Sequence, residues 1–375
     1  MYFIFVKIAI DNAFEMRRLL QKLLNAWIIR MSNKFGSRPD RARIHEALSK
    51  LYDNINSHPG KRGEIYELNE GHKIIVLSDQ HKGGRDFSDD FALAEKNYLK
   101  ALEYYEARQF IYVNLGDSEE LWENLLESVI KHNKATFEAE KTFIKRKAFT
   151  KIFGNHDLYW DNDPLSQFNL KRIYGEVIRI YEGAILRFNL NGKKLDVFLT
   201  HGHQGDLQSD GNWFSKWFVS TIWAPLQAYL RINLNTPAYN NQLKTEHNIL
   251  MYDWVQNQNG VALITGHTHQ PVFASLTYLE RLYVKLKKAV GEKNTIEVDN
   301  LTLELHKLAA KGEEPPVINK YKSAYFNSGC CCFSDGDITG IEIESSLIRL
   351  IKWSYKNGDM SERFVLEEMK LEDLL

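Results

Sequence analysis

Five short apolar segments of the sequence each end in side chains that can bind a metal ion or transfer a proton. They are KIIVLSDQH at 73–81, QFIYVNLGD at 109–117, KIFGNHD at 151–157, KLDVFLTHGH at 194–203 and VALITGHTH at 261–269. Together they supply aspartates, an asparagine and several histidines, the hard to borderline ligands that Mn, Fe and Zn accept. One Asp-x-His or GHTH motif is weak evidence, because such short patterns also arise by chance. Five in succession predict metal-dependent chemistry.

The apolar part of each segment is typical of a buried strand, since it is rich in Ile, Val, Leu and Phe. Helical patterns at 89–107 and 119–149 separate the first three segments, and this alternation favours an α/β layered domain. Ligands of open α/β sheets gather beyond the carboxyl ends of the strands. The side chains expected to share that crevice are Asp79, His81, Asp117, Asn155, His201, His203, His267 and His269.

The order of the motifs resembles that of the calcineurin-like metallophosphoesterase superfamily. There, Asp-x-His, Gly-Asp, Gly-Asn-His-Asp/Glu, a later His and Gly-His-x-His follow one another along the chain. The corresponding residues are Asp79 and His81, Gly116 and Asp117, Gly154 to Asp157, His201, and Gly266 to His269, with Asn327 to Gly329 similar to a strand that often follows. The resemblance covers residues 73–270. It implies a four-layer α/β/β/α metallophosphoesterase sandwich, to which this chain adds a helical N-terminal extension and helical insertions.

The resemblance also implies a site for two divalent metal ions. Carried over by position, the ligands of the first ion are Asp79, His81 and His269, those of the second are Asn155, His201 and His267, and Asp117 bridges both. Alternate residues of an extended segment face the same way, so both members of an Asp-x-His or His-x-His pair can act from one short stretch. We expect Mn²⁺, with Fe, Zn, Co or Ni as alternatives, because one ligand set accepts all of these ions.

By the same resemblance the chain is expected to be a metal-dependent phosphoric ester hydrolase, either a phosphomonoesterase or a phosphodiesterase. A hydroxide shared by the two ions would attack phosphorus in line with the leaving group. His156 would assist the departure of that group. Asp157 is interpreted either as orienting His156 or as the cap of the next helix.

Three side chains are predicted to contact the substrate: Arg85, Asn155 and His203. Arg85 could clamp a phosphate with its planar guanidinium. The alternative is a surface arginine paired with Asp86 or Asp89. His203 lies two positions beyond an expected histidine ligand, and its alternatives are a further ligand or a polar loop residue.

The second motif separates this chain from the protein phosphatases of the superfamily. Those enzymes carry Gly-Asp-x-Val-Asp-Arg-Gly, whereas this chain has GDSEELW at 116–122, so the arginine and the second aspartate are interpreted as having no counterpart. The segment GDSEELWEN and the insertion after THGHQGD are distantly similar to bacterial UDP-2,3-diacylglucosamine hydrolases, although those enzymes commonly have Arg where His156 stands. The expected substrate is a small phosphoester or a nucleotide-linked lipid.

Two other functions are alternatives to this hydrolase. A metallophosphoesterase-type nuclease would need a basic groove, for which the sequence offers the cluster Lys141, Lys145, Arg146, Lys147 and Lys151. On a helix most of these would form a solvated face, and the net charge of −1 gives no global basic field, so we expect no nucleic-acid partner. The second alternative is a non-catalytic scaffold on the same fold. Scaffolds tend to lose ligands, whereas every expected ligand type is present here.

The sequence divides into a core and several additions. Residues 1–70 are predicted as a helical N-terminal extension and residues 71–355 as the metallophosphoesterase domain. Within that domain lie an aromatic-rich cap at 207–260 and a helical insertion at 276–320, and a C-terminal helix is predicted over 356–375. The aromatic side chains of the cap either receive a lipid chain or a base, or attach the cap to the sheet.

The N-terminal residues indicate where in the cell the protein is expected. Residues 11–34 combine an apolar helical stripe with basic residues, which is typical either of a peripheral contact with the inner membrane surface or of a helix packed on the domain. No segment reaches the roughly 20 apolar residues that span a bilayer, and we expect a cytoplasmic protein. The consecutive cysteines at 330–332 are interpreted as small buried apolar residues in a reducing compartment.

Overall fold

Two β-sheets packed face to face form the centre of the protein in a computed structural model. The structure describes residues 39–85, 89–122, 124–205, 241–309, 323–356 and 360–375. The strands in these ranges are β1 Gly63–Leu68, β2 Ile74–Leu77, β3 Ile111–Leu115, β4 Phe149–Ile152, β5 Ile180–Tyr181, β6 Gly183–Leu190, β7 Lys193–Thr200, β8 Val261–Thr265, β9 Val272–Phe273, β10 Leu276–Thr277, β11 Tyr325–Asn327, β12 Ile338–Glu344, β13 Leu347–Lys356 and β14 Met360–Lys370. The helices are α1 Arg41–Ser57, α2 Glu95–Ala107, α3 Leu126–His132, α4 Lys134–Lys145, α5 Tyr159–Asn162, α6 Ser166–Tyr174, α7 Asn241–Gln256, α8 Tyr278–Gly291 and α9 Thr295–Ala309, with 3-10 turns at Asp90–Leu93 and Leu371–Leu374.

Each sheet contains seven strands. The first sheet has the order β1-β6-β7-β8-β11-β9-β10, in which β7 and β8 run parallel. The second sheet has the order β14-β13-β12-β2-β3-β4-β5, in which β2, β3 and β4 run parallel. Parallel neighbours end at the same edge of a sheet, so each sheet can present several loops at one place.

Alternation along the strands divides the apolar side chains between layers. In β2, Ile74 and Val76 belong to the cluster between the two sheets, which also contains Val197 of the first sheet. Ile75 and Leu77 belong instead to the cluster formed with α2 and α4. The outer face of the first sheet packs against α1 and α7. The resulting order of helix, sheet, sheet and helix confirms the predicted α/β/β/α sandwich.

The segment before the first motif forms both a helix and a strand. The apolar stripe of α1 packs on the outer face of the first sheet and consists of Ile44, Leu48, Leu51 and Ile55. The prediction of a helical extension over 1–70 is wrong for Gly63–Leu68, which pairs in parallel with β6. Ile65 packs with the helices, whereas Tyr66 and Leu68 pack between the sheets, and this period of two is that of a strand.

The C-terminal segment also differs from its prediction. The helix predicted over 356–375 is wrong, because Met360–Lys370 forms β14 and pairs antiparallel with β13. The 3-10 turn at Leu371–Leu374 follows this strand. The segment at 356–375 is rich in Glu and Leu, which favour helices. Pairing with the ten-residue strand β13 outweighs this helical propensity.

The two predicted insertions are described in part. α8 and α9 lie within the insertion at 276–320, where the sequence pattern predicts two helices. Of the cap at 207–260, α7 is described, while residues 207–240 lie outside the described residues, as do residues 11–34. The domain division and the membrane contact stay predictions. In the described part of the chain, no helix is both long and apolar enough to cross a membrane.

Candidate metal centre

The loops that follow five strands converge at one edge of the two sheets. In the second sheet, β2, β3 and β4 lead into the loops with Asp79, Asp117 and Asn155. In the first sheet, β7 and β8 lead into the loops with His201 and His267. All five side chains belong to buried residues. The two sheets therefore each supply part of one buried polar cluster.

The expected ligands of the first metal ion lie in mutual contact. His269 Nε2 lies 3.2 Å from Asp79 Oδ1 and 3.1 Å from His81 Nε2. His81 Nε2 also lies 3.8 Å from Asp117 Oδ2. These donor atoms come from three different loops, and they are close enough together to share one cation.

Asp117 also contacts the group expected to bind the second ion. Its Oδ2 lies 3.0 Å from His201 Nε2, and donor atoms of Asp117, His201 and His267 lie within 4.8 Å of one another. His201 Nδ1 donates to the carbonyl of Leu115 at 2.9 Å. This bond leaves Nε2 as the ring atom that faces Asp117 and can bind a cation. One carboxylate therefore adjoins both groups, which is the arrangement that a bridging ligand requires.

Asn155 offers a further ligand atom in the loop after β4, next to His156, whose backbone N–H donates to Asp117. The side-chain Oδ1 of Asn155 is buried and has no hydrogen-bond partner among the described residues. A buried polar atom without a partner costs about 1–3 kcal/mol. An amide oxygen is a suitable ligand for Mn²⁺ and similar ions, and a cation beside it would remove that cost. The residues present therefore fit a metal site.

The backbone is strained where the ligands lie. Five of the seven expected ligands have positive φ angles, between 49° and 68°: Asp79, His81, Asp117, His267 and His269. Such left-handed backbone costs a non-glycine residue about 1–3 kcal/mol and is concentrated at functional sites.

The glycines of the motifs are needed because a side chain would not fit at their positions. A Cβ on Gly154 would overlap Asp117, and a Cβ on Gly266 would overlap Asp79.

Glu120 links two histidines of the site. Its Oε2 lies 2.7 Å from His81 Nδ1 and 2.7 Å from His156 Nδ1, and because a carboxylate only accepts, both ring nitrogens donate to it. Burial raises the pKa of Glu120, but the charge and hydrogen bond of His156, with those of His81, lower it to about 2. The carboxylate is therefore ionised at neutral pH and fixes both rings.

Sequence reasoning missed Glu120, although a signal was present. Glu120 occupies the place of the second aspartate in the Gly-Asp-x-Val-Asp-Arg-Gly pattern. The interpretation that this aspartate has no counterpart is wrong, because a side chain one methylene longer supplies the carboxylate. The arginine of the pattern is replaced by Leu121.

His156 is held from three directions. Its backbone N–H donates to Asp117 Oδ1 at 2.7 Å, and its ring donates to Glu120. The ring also stacks on Trp122, with the centroids 4.2 Å apart and the planes 22° apart. The position of His156 is thus fixed beside Asp117, the carboxylate that contacts both groups of expected metal ligands.

Asp157 has neither of the two roles expected from the sequence. Its Oδ1 accepts the N–H of Gly154 at 2.6 Å, and its Oδ2 accepts the N–H of Ser118 at 2.9 Å. Glu120 orients His156 instead, and the cap residue of α5 is Leu158, which makes no side-chain cap bond. Burial, together with the charge of Glu119, raises the pKa of Asp157 to about 6. Asp157 therefore joins the loop after β3 to the loop after β4.

The predicted substrate contacts have different surroundings. Arg85 lies 2.5 Å from Glu95 and 3.8 Å from Asp89, so its guanidinium is ion-paired within the chain, as the surface alternative expects. His203 is buried, with its ring centroid 5.4 Å from that of His201. Contact of either side chain with a substrate stays a prediction.

A further histidine reaches the centre from α7. The His247 ring lies 5.2 Å from the His267 ring, and its Nε2 donates to the carbonyl of Gly202 at 2.7 Å. No motif in the sequence points to His247. It is brought to the site by the packing of α7 on the first sheet.

A buried ion-pair network lies beside the centre and consists of Lys82, Glu119, Glu140 and Lys151. Lys82 Nζ lies 2.7 Å from Glu140 and 3.3 Å from Glu119, and Lys151 Nζ lies 2.9 Å from Glu119. All four side chains are fully buried. Lys82 follows His81 directly in sequence, so the network supports the loops that carry the ligands.

One protein family matches more than half of the chain. The family described as calcineurin-like phosphoesterase matches residues 72–271, which is 200 of the 375 residues. The chain belongs to this family. Membership confirms the predicted metallophosphoesterase sandwich and places the protein among phosphoester hydrolases that bind two divalent metal ions. No curated protein matches the chain.

Several solved structures are similar to the chain at low sequence identity. Vacuolar protein sorting 29 from Cryptosporidium parvum is 10% identical over 80% of this chain and 98% of that chain, with a TM-score of 0.33. A mutant cold-active protein tyrosine phosphatase is 13% identical over 80% and 82%, with a TM-score of 0.34. A dimetal phosphatase from Danio rerio is 8% identical over 79% and 99%, also with a TM-score of 0.34.

Proposed function

We propose that this protein hydrolyses phosphoesters with two divalent metal ions held in the centre described above. The first position is assigned to Asp79, His81 and His269, the second to Asn155, His201 and His267, with Asp117 shared by both. The observation that carries this assignment is the convergence of these donors around Asp117, together with the buried Oδ1 of Asn155 that lacks a partner among the described residues.

The ions, when bound, supply a water of lowered pKa as nucleophile and neutralise the charge on the phosphoryl oxygens. Mn²⁺ is the proposed metal, with Fe, Zn, Co or Ni as alternatives, because a mixed carboxylate, amide and imidazole set accepts all of them. Supply in the cell would then select among these ions.

His156 is the proposed proton donor to the leaving group. Its Nδ1–H is held by Glu120, so the proton would be transferred from Nε2, the other ring nitrogen. The stack on Trp122 and the backbone bond to Asp117 keep the ring in place without a large change when a substrate binds. Preorganisation of this kind lowers the cost of reaching the transition state.

The proposed substrate is a small phosphoester or a nucleotide-linked lipid, and both monoesters and diesters are candidates. The distant similarity of GDSEELWEN to UDP-2,3-diacylglucosamine hydrolases supports the lipid-linked class. One aromatic residue of the predicted cap serves packing, because Trp254 contacts Phe198 and Tyr52 in the outer core. Tyr252 packs against the same cluster, and the remaining aromatic residues of the cap lie outside the described residues.

Two residues of the basic cluster that a nuclease would need are paired with carboxylates of the chain itself. Lys151 is fully buried and pairs with Glu119. Arg146 pairs with Glu106 at 2.7 Å. These cations are therefore engaged within the chain, and neither is available to follow a phosphate backbone.

Hydrolysis of p-nitrophenyl phosphate and bis-p-nitrophenyl phosphate tests the proposal. We expect turnover that requires added Mn²⁺ and is abolished by EDTA. With phenyl phosphate, whose leaving group needs a proton, kcat should fall about 10²–10⁴-fold in His156→Ala, because general acid catalysis contributes that much. The fall should be smaller with the p-nitrophenyl esters, which release a stable phenolate. His306→Ala, which removes an exposed histidine of α9, is the matched control and should keep wild-type turnover. Activity that resists EDTA, or a His156→Ala enzyme that hydrolyses phenyl phosphate as fast as the wild type, would reject the assignment.

A further inference from the structure

The three consecutive cysteines have different surroundings. All three are buried free thiols. Cys331 packs in the apolar cluster between the second sheet and α2, with its Sγ 3.9 Å from the carbonyl of Thr339. Cys332 lies elsewhere, with its Sγ 3.9 Å from His269 Nδ1. The interpretation as small apolar residues therefore fits Cys331 but leaves the contact of Cys332 unexplained.

His269 has a separate partner for each ring nitrogen. Nε2 faces the metal centre, 3.2 Å from Asp79 Oδ1 and 3.1 Å from His81 Nε2. Nδ1 faces Cys332. A neutral imidazole that binds a cation through Nε2 carries its proton on Nδ1 and needs an acceptor there. The sulfur of Cys332 lies beside this nitrogen, and the thiol of Cys330 also interacts with the His269 side chain.

Two of the other ligand histidines use oxygen at the equivalent place. His81 Nδ1 donates to Glu120, and His201 Nδ1 donates to the carbonyl of Leu115. In each case the bond fixes which nitrogen faces the cluster. His269 differs in the chemistry of its partner, since sulfur is a weaker and more polarisable acceptor than oxygen.

We propose that Cys332 is a positioning residue for the first metal position, where its sulfur accepts the Nδ1–H of His269 and keeps Nε2 directed at Asp79 and His81. This inference rests on the proposed function, because it takes His269 as a metal ligand. The competing arrangement is direct binding of the sulfur to the ion, since donor atoms of Cys332, His81 and His269 lie within 4.8 Å of one another. The position of Sγ beside Nδ1 favours the positioning role.

Metal binding by cysteine variants tests the role. Cys332→Val replaces the thiol by an apolar branched side chain that is one heavy atom larger, and Cys332→Ser restores an acceptor as a hydroxyl. We expect Cys332→Val to bind one of its two Co²⁺ ions about 10–100-fold more weakly, the usual effect of losing such a partner, and Cys332→Ser to recover most of that affinity. Cys331→Val is the matched control and should bind both ions as the wild type does. If Cys332→Val does not fold, Cys332→Ala replaces it.

The measurement is a Co²⁺ titration followed by absorbance, with the number of bound ions counted by elemental analysis. Unchanged affinity in Cys332→Val would overturn the proposal, as would an equal loss in Cys332→Ser. An intense near-ultraviolet sulfur-to-cobalt band in the wild type would overturn it as well, because it would make Cys332 a ligand. Failure of the proposed function looks different, since the wild type would then bind no pair of ions and hydrolyse neither p-nitrophenyl ester.

Discussion

The carboxylate of Glu120 joins the first metal position to the proposed proton donor. It accepts hydrogen bonds from His81, an expected ligand, and from His156. A buried carboxylate with two such donors fixes the tautomer and the orientation of both rings at once. Loss of its charge should therefore affect metal binding and turnover together.

The substitution Glu120→Gln tests this coupling. The amide has nearly the shape of the carboxylate but carries no charge and has only one acceptor oxygen. We expect kcat to fall about 10–100-fold and the first ion to bind more weakly, as for other partners of metal-bound histidines. Glu103→Gln on α2 changes an exposed carboxylate that pairs with Lys100 and is the control. Steady-state kinetics and metal titration provide the comparison. Wild-type kcat and wild-type metal affinity in Glu120→Gln would contradict the account.

The residues of the centre differ in how far the sequence reveals them. Asp79, Asp117, Asn155 and the histidines follow from motif spacing, because each motif is local in sequence. Glu120 was obscured because its residue type departs from the family pattern. Cys332 and His247 could not be found from spacing, since their contacts depend on how β11 and α7 pack near the ligand loops.

At the scale of elements, the buried ion-pair network joins the elements that carry the ligand loops. Lys151 lies in β4, Glu140 in α4 and Glu119 in the loop after β3. The network contains two positive and two negative groups, so their charges balance in a region that excludes water. Removing one partner would leave a buried charge without compensation, which is costly.

Replacement of Lys151 by methionine measures this support. We expect Lys151→Met to lower the free energy of unfolding by about 3–5 kcal/mol, because Glu119 then lacks its partner on β4. Lys145→Met makes the same change at an exposed position of α4 and should alter stability by less than about 0.5 kcal/mol. Urea denaturation of the two variants and the wild type gives the comparison. Equal stability of Lys151→Met and wild type would show that the network is not a support.

The elements were predictable to different degrees for a physical reason. Among the strands that end in ligand motifs, β2 is a continuous apolar run and β8 is nearly one, and buried parallel strands have that composition. β1 and β14 lie at sheet edges, and neither is a continuous apolar run. The pairing of β1 depends on β6, which is distant in sequence, whereas β14 pairs with the preceding strand β13. Local propensity could not reveal either strand.

For the whole molecule, each metal position draws on both sheets. Asp79, His81 and Asn155 follow strands of the second sheet, whereas His201, His267 and His269 follow strands of the first. The apolar cluster between the sheets therefore sets the distance between the two halves of each position. The layered fold could be predicted from the sequence, but the contacts across it required the structure.

Anomalous diffraction from crystals of the Mn²⁺-loaded protein tests the central claim most directly. We expect two peaks about 3.5–4 Å apart, the separation of metal pairs that share a bridging ligand. One should lie against Asp79, His81 and His269 and the other against Asn155, His201 and His267, with Asp117 in contact with both. A single peak at saturating Mn²⁺, or peaks remote from these side chains, would contradict the assignment.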